Sequence, residues 1–78
     1  MNKNAVERLE KIRKRIRLTR IEKGYSQDYL GRLLHMSQFA YQKLESGKTT
    51  LKVKTLIELA VLLEVKESFL LGSDNYLH

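Results

Sequence analysis

The order of apolar and polar residues in the first third of the chain predicts one long amphipathic helix. From Asn4 to Lys23 the sequence is rich in helix-forming residues, and its inward positions recur at intervals of three, four and three: Leu9, Ile12, Ile16 and Thr19. This spacing aligns them on one helix face. Leu18 and Ile21 fall on the opposite side, away from the predicted core. Gly24 follows the helix and suits a left-handed carboxyl-terminal cap.

Serine residues mark the starts of the next two predicted helices. The hydroxyl of Ser26 can cap a second helix, which runs to about Leu34 and is expected to bury three leucines: Leu30, Leu33 and Leu34. Ser37 can cap a third helix, which runs to Ser46 and is stopped by Gly47. Only three or four residues are left between these helices, which is the spacing of a helix-turn-helix.

The residues around this turn suit two helices that cross steeply. A small residue, Gly31, stands where the two backbones must approach, and apolar residues occupy the inward positions before and after the turn: Leu30, Leu34, Met36, Tyr41 and Leu44. Because Tyr41 and Leu44 point inward, the opposite edge of the third helix is left to solvent.

Two more helices are predicted in the last third of the chain. The fourth runs from about Val53 to Glu64 and carries many apolar residues: Val53, Leu56, Ile57, Leu59, Ala60, Leu62 and Leu63. That density predicts that it is the central, most buried helix. The fifth, about Lys66 to Leu71, is expected to close the core with Phe69 and Leu70. The last residues, Gly72–His78, are expected to be a mobile tail.

These elements predict an all-α fold in one domain, residues 1–78, with a compact five-helix bundle over about residues 9–71. A chain of 78 residues supports one small core and leaves few apolar side chains for a catalytic cleft. The sequence has no Cys, and its two histidines, His35 and His78, have no ligand cluster around them. No enzyme activity, metal or cofactor is therefore predicted.

Positive charge is concentrated at the start of the chain. The formal charge is +6, and residues 1–24 carry nine Lys or Arg against three acids, whereas residues 51–78 carry three against four. A surface that faces a polyanion has this composition, and so has a solvated basic helix face. No apolar run reaches the roughly 18 to 20 residues of a membrane span, and no signal peptide is recognisable. A cytoplasmic protein with no membrane partner is expected.

The exposed edge of the third helix carries side chains that a DNA-reading helix needs. Gln38 can pair with the edge of an adenine, and Phe39 can contact a thymine methyl group. Gln42 and Lys43 can reach bases or phosphates. An exposed Phe is unusual, and packing against Tyr29 is the alternative for Phe39.

Other residues are candidates for the phosphate contacts that flank the groove. Gln27 lies at the start of the second helix, beside free amides and the positive end of the helix dipole, although it can also be a simple helix-start residue. Lys48 and Thr49 follow the third helix, and Arg17 lies in the basic first helix. The complete set of candidate DNA-contacting residues is Arg17, Gln27, Ser37, Gln38, Phe39, Gln42, Lys43, Lys48 and Thr49.

From about Ile12 to Leu71 the chain resembles the Cro/phage-repressor type, or Xre family, of helix-turn-helix regulators. The resemblance rests on short groups of residues along this stretch: Ile16-Arg17 with Arg20, Gly24-Tyr25-Ser26-Gln27 with Leu30, Ser37-Gln38, Lys43-Leu44-Glu45 with Gly47-Lys48, Thr55-Leu56 with Leu59-Ala60, and Leu63-Glu64-Val65 with Phe69-Leu70-Leu71. It implies a five-helix, lambda-repressor-like fold. It also implies that a recognition helix at about residues 37–46 binds double-stranded DNA in the major groove, in dimers on palindromic operators.

The resemblance also implies roles for individual residues. Gln27 and Gln38 would contact DNA and brace each other, and Arg20 would form a largely buried ion pair with Glu45. The pair makes independent sense, because Glu45 lies near the end of the third helix, where the helix dipole disfavours a carboxylate without a nearby cation. The sequence departs from the family pattern at four positions: Gly31, His35, Leu51 and Lys52. The position of His35 needs a left-handed backbone.

A homodimer is expected, because one short helix reads too few bases for useful selectivity and two half-sites lie about 34 Å apart. Its candidate contacts are Phe69, Leu70, Leu71, Tyr76 and Leu77. Other interpretations stay open. A DNA-binding antitoxin with a partner toxin, or a restriction-modification controller, would have the same domain chemistry. A helical protein-protein adaptor would instead turn its basic first helix towards an acidic partner and show little affinity for DNA.

Overall fold

The computed structural model describes residues 2–72, which form five α-helices and no strand. The helices are α1 Lys3–Glu22, α2 Gln27–Leu33, α3 Gln38–Ser46, α4 Val53–Leu63 and α5 Glu67–Leu71. The all-α fold with five helices is confirmed, and the predicted helix ends differ from these by no more than one residue. Apart from Gly72, the predicted mobile tail lies outside the described residues.

Caps at both ends and one apolar face define α1. The Asn2 side chain accepts a hydrogen bond from Asn4 N at 2.7 Å, which satisfies an amide that has no partner within the helix. At the other end Gly24 takes a φ of +77°, the left-handed conformation predicted for it. Leu18 and Ile21 are exposed, as expected, while the opposite face buries Ile12, Ile16, Thr19 and Arg20. The helix is about 30 Å long, and it contacts α3, α4 and α5.

Serine caps define the starts of α2 and α3. Ser26 Oγ accepts a hydrogen bond from Tyr29 N at 2.9 Å, and Ser37 Oγ accepts one from Ala40 N at 3.0 Å. Each serine thus satisfies an amide of the first helical turn, as its sequence position predicted. The carboxyl end of α3 is also determined by a single nearby residue, because Gly47 ends the helix with a φ of +90°.

The turn between these helices brings their backbones together at Gly31. Met36 N donates to Gly31 O at 2.8 Å, and His35 takes the left-handed φ of +61° that reverses the chain. A Cβ atom on Gly31 would lie 3.2 Å from Tyr41 Cβ. The predicted close approach is therefore present, and a large side chain at this position would push α2 and α3 apart.

One apolar core lies where the helices meet. Its most deeply buried side chains come from α2, α3, α4 and α5: Leu30, Tyr41, Leu59, Leu63 and Leu70. Leu34 is half-buried against this core, but the predicted burial of Leu33 is wrong, because 41% of that residue is exposed. Helix α2 has only two turns, and Leu33 lies roughly 80° around it from the centre of the face that Leu30 and Leu34 share.

Helix α4 contributes more buried residues than any other described helix, as expected, but on one face only: Thr55, Leu56, Leu59, Ala60 and Leu63. Val53 and Ile57 are two of the apolar residues on which that prediction rested, yet they are 74% and 45% exposed. The reason is rotational, since both lie roughly 90° or more around the helix from the centre of the buried face. Val61 shares their solvent-facing side.

Helix α5 closes one end of the core. Leu70 is completely buried, and Phe69 and Leu71 are half-buried against the core, as the sequence predicted for Phe69 and Leu70. This burial is incompatible with the other role suggested for Leu70, a contact in a dimer, because its side chain has no surface to offer. The remaining tail candidates, Tyr76 and Leu77, lie outside the described residues.

Candidate nucleic-acid interface

Helix α3 has a buried back and an exposed edge. Tyr41 and Leu44 lie in the core, whereas Gln38, Phe39 and Gln42 are exposed. We call these three residues the exposed edge of α3. They fall on one side of the helix because the Ser37 cap fixes where the helix begins, and positions one, two and five of α3 then face away from the core.

Phe39 is the most unusual residue of this edge, since 65% of it is exposed. Its ring lies under the ammonium group of Lys43, with Nζ 4.7 Å from the ring centroid. Such a cation–π contact orients both side chains without removing them from solvent. Tyr29, the alternative packing partner for Phe39, instead pairs with Tyr25 at a ring-centroid distance of 5.0 Å.

A buried polar network fixes the back of α3. Arg20 Nε lies 2.6 Å from Glu45 Oε2, and Arg20 Nη2 donates to Glu45 Oε1 at 3.1 Å, which makes the ion pair two-pronged. Tyr41 Oη donates to Glu45 Oε2 at 2.6 Å. A third donor of Arg20, Nη1, binds Tyr25 O at 2.8 Å. Helix α3 is thereby held to α1 by charged groups that have almost no contact with water.

The ionisation of this network follows from its burial and its hydrogen bonds. Burial alone would raise the pKa of Glu45, but hydrogen bonds from Arg20, Tyr41 and Gln27 outweigh it and leave that pKa below its ordinary value. The hydrogen bond to Glu45 raises the pKa of Arg20 despite desolvation. Burial, followed by the bond to Glu45, raises the pKa of Tyr41 far above its ordinary value. At neutral pH the network therefore consists of a carboxylate, a guanidinium and a neutral phenol.

Gln27 and Ser37 are tied to the protein itself. Gln27 Nε2 donates to Glu45 Oε1 at 3.1 Å, so within residues 2–72 the side chain braces the ion pair and not Gln38. Gln27 as a whole is half-buried. The Ser37 hydroxyl is engaged as the cap of α3. Ser37 thereby fixes where α3 begins next to Gln38, and Gln27 supports Glu45 on the back of the helix.

A groove of about 650 Å³ runs between α1 and the loop that joins α3 to α4. Four cationic side chains line it, and we call it the basic groove: Arg13, Lys14, Arg17 and Lys48. Thr49 also lines it, and Lys48 and Thr49 are exposed. The structure thus brings three of the predicted phosphate-binding residues, Arg17, Lys48 and Thr49, into one groove, while Gln27 lies outside it.

A helix-turn-helix family model matches residues 16–70, a stretch that includes both helices of the motif, its turn and the Arg20–Glu45 pair. The chain belongs to this family, of the Cro/phage-repressor type. A search of the curated proteins and a search of the solved structures each found no match.

This helix-turn-helix protein is a DNA-binding protein of the transcriptional-regulator type. Its family comprises regulators and not, in general, enzymes. In the described part of the chain, no group of three or more His, Cys, Asp or Glu side chains is arranged to hold a metal ion. Within the same residues, no helix combines the length and the apolar character that crossing a membrane requires.

Arg13 lines the basic groove, although it is not among the candidate residues predicted from the sequence. Its Nε donates to Leu44 O at 3.1 Å and its Nη2 to Thr49 O at 3.0 Å. The guanidinium therefore satisfies a carbonyl at the end of α3 and holds the following loop against α1. Its position on the basic face of α1, one turn before Arg17, was a reason to include it among the candidates. Its contacts could not be predicted, because the main-chain oxygens that it binds are 31 and 36 residues away in the sequence.

Proposed function

We propose that this helix-turn-helix regulator binds double-stranded DNA sequence-specifically, as a dimer on a palindromic operator, with α3 in the major groove. The observation that carries the proposal is the two-sided build of α3, whose back is buried while Gln38, Phe39 and Gln42 project into solvent. A helix with its base-reading side chains on one free edge fits the major groove, which is about 12 Å wide.

The exposed edge of α3 would read bases. Each glutamine amide has a donor and an acceptor side by side, which matches the N6 and N7 atoms of adenine. The Phe39 ring would pack against a thymine methyl group, and Lys43, held over that ring, would reach a guanine or a phosphate oxygen. Ser37 would contribute through its cap, which fixes the direction in which Gln38 leaves the helix.

The phosphates on either side would be bound by the start of α2 and by the basic groove. Gln27 lies where the free amides of α2 attract an anion. Arg17, Lys48 and Thr49 would bind the neighbouring phosphates from the basic groove. These contacts carry no sequence information, but they set the register of α3 on the duplex.

A dimer would supply the selectivity that one α3 lacks. Two copies related by a two-fold axis would place their α3 helices in successive major grooves, about 34 Å apart, and would therefore recognise an inverted repeat. Each chain would act as a single domain over residues 1–78, with occupancy of the operator governed by protein concentration.

Selection of bound sequences from a random pool of duplexes tests this proposal. The full chain, Gln38→Ala and Gln42→Ala would each be taken through the selection, with Asn4→Ala as a control that removes an exposed amide far from α3. We expect the wild type and the control to recover one inverted repeat. Each glutamine variant should lose preference at one position of each half-site, by about 1 to 3 kcal/mol, because its bidentate base contact is gone.

Three results would count against the proposal. The first is failure to enrich any sequence, and the second is recovery of a site without two-fold symmetry. The third is an unchanged base preference in both glutamine variants, which would mean that α3 does not face the bases. An adaptor protein would give the first result at all salt concentrations.

A further inference from the structure

We infer that the solvent-facing side of α4 binds a second copy of this chain and forms the dimer contact. Three apolar side chains make up this surface, which we call the α4 face: Val53, Ile57 and Val61. The inference rests on the proposed function, because a palindromic operator requires a dimer, and it names the surface that makes the dimer. Of the candidates that the sequence offered in α5, Leu70 is completely buried, and Phe69 and Leu71 are half-buried against the core.

The α4 face is an apolar stripe that the fold of one chain leaves uncovered. Val53 is 74%, Ile57 45% and Val61 68% exposed. They follow one another at intervals of four residues, so they align along one side of the helix over about 12 Å. The opposite side of α4 is buried in the core. Contiguous apolar surface of this kind marks an interaction site more often than scattered exposed residues do.

The charges beside the stripe match a second copy of the same helix. Lys54 and Glu58 lie on one side of it, 3.1 Å apart, and form an ion pair within the helix. In an antiparallel pair of α4 helices centred on Ile57, Val53 of one copy faces Val61 of the other. Lys54 then comes within about 3 Å, measured along the axis, of Glu58 of the second copy. The same relation holds twice by symmetry. The two Glu58 carboxylates also come within about 3 Å of each other along the axis, so two attractive pairs are set against one repulsive pair.

The size of the α4 face predicts a weak dimer. Three valine-sized or isoleucine-sized side chains per copy bury far less than the roughly 800 Å² per partner of a standard stable interface. The two copies should therefore exchange readily in free solution and be held together on an operator, where binding to adjacent half-sites raises their effective concentration.

Sedimentation equilibrium of the purified full chain without DNA, up to about millimolar concentration, tests the inference. We expect a reversible dimer whose dissociation constant rises at least about tenfold in the double variant Val53→Lys with Val61→Lys, because two ammonium groups per copy would be forced into an apolar contact. Both positions are highly exposed, so the fold should be kept, which circular dichroism would check. The matched control, Leu18→Lys with Ile21→Lys, places the same charges on an exposed apolar pair of α1 and should leave the dissociation constant unchanged.

A charge exchange separates a second copy from other occupants. Glu58→Lys alone should weaken the dimer, since Lys54 would then face another ammonium group across the axis, and Lys54→Glu combined with Glu58→Lys should restore it. Recovery in the double variant would support the antiparallel arrangement. Equal dissociation constants for the wild type, the Glu58→Lys variant and the double variant would overturn it.

A dimer that survives the α4 variants but not the α1 control would overturn the inference and leave the proposed function standing. A wild-type chain that stays monomeric at the highest concentration and binds two half-sites without cooperativity would overturn the inference and also remove the dimer from the proposed function, while sequence-specific reading by α3 would stand. A different protein seated on the α4 face of a monomeric chain would have the same two consequences. Conversely, a dimer with the expected variant pattern in a chain that binds no duplex DNA would support this inference and refute the proposed function.

Discussion

The two sides of α3 differ in what holds their side chains in place. On the back, Glu45 receives hydrogen bonds from Arg20, Tyr41 and Gln27, and all of these partners are buried or half-buried. On the exposed edge, Phe39 touches Lys43, and the amides of Gln38 and Gln42 extend into solvent. The polar groups of the back are engaged within the protein, whereas the edge keeps its hydrogen-bonding groups free for a ligand.

Within the nine residues of α3, the side chains that stabilise the fold are therefore different from the side chains proposed to recognise DNA. A substitution on the back disturbs groups that cannot regain water, so it should change folding. A substitution on the edge leaves the protein interior untouched, so it should change binding alone.

Arg20→Ala should be the most damaging change, because it leaves the Glu45 carboxylate buried without its cation. We expect a loss of about 3 to 5 kcal/mol in the free energy of unfolding. Thermal denaturation followed by circular dichroism would measure it, with Arg17→Ala, an exposed arginine one turn earlier on α1, as the control. Equal melting temperatures for the two variants would mean that the ion pair does not stabilise the fold.

Glu45→Gln should change how stability depends on pH. The pKa of Glu45 is lowered in the folded state, so the unfolded chain takes up the proton first. The stabilisation from its charge is therefore complete above the unfolded-state pKa of about 4.3, and it is lost as the pH falls through the lower folded-state pKa. We expect Glu45→Gln to melt well below the wild type at pH 7, with a gap that narrows below about pH 4. A gap that is constant from about pH 7 to about pH 3 would contradict the assignment.

Ser37→Ala should have an intermediate effect, because it removes the cap of α3 but no core contact. We expect a loss of about 1 kcal/mol, and only a few tenths for Ser37→Gly, which suits a capping position better than Ala. Urea unfolding of both variants would measure the difference. If both variants were as stable as the wild type, the hydrogen bond from Ala40 N to Ser37 Oγ would contribute nothing to stability.

Gln42→Ala should have the smallest effect on folding, within about 0.5 kcal/mol of the wild type. The same variant is expected to relax base preference in the selection experiment, so its two readouts should diverge. A Gln42→Ala protein with a markedly lower melting temperature would show that the edge and the back of α3 are not independent.

The features predicted correctly from the sequence are those that short-range chemistry decides. Ser26, Ser37 and Gly47 act on amides and carbonyls a few residues away, so their effect on α2 and α3 can be inferred locally. The Arg20–Glu45 pair followed from the family resemblance, supported by the position of Glu45 near the end of α3. The roles of the exposed edge in DNA binding stay predictions.

The features that were missed depend on how the helices are arranged in space. Val53, Ile57 and Leu33 are as apolar as their buried neighbours, and a helix that is apolar on most sides does not indicate which side the core will cover. Arg8 and Arg13 bind main-chain oxygens far away in the sequence. Every residue has such an oxygen, so the sequence does not indicate which one an arginine side chain will bind.

The contacts of Arg13 have an evolutionary consequence. Because this side chain holds the backbone at Leu44 and Thr49, the anchorage does not depend on which amino acid occupies position 49. If Thr49 makes the proposed phosphate contact, mutations at that position should change it while the loop keeps its shape. Position 49 is then a site at which descendants of this regulator can diversify their affinity for DNA without losing the ability to fold.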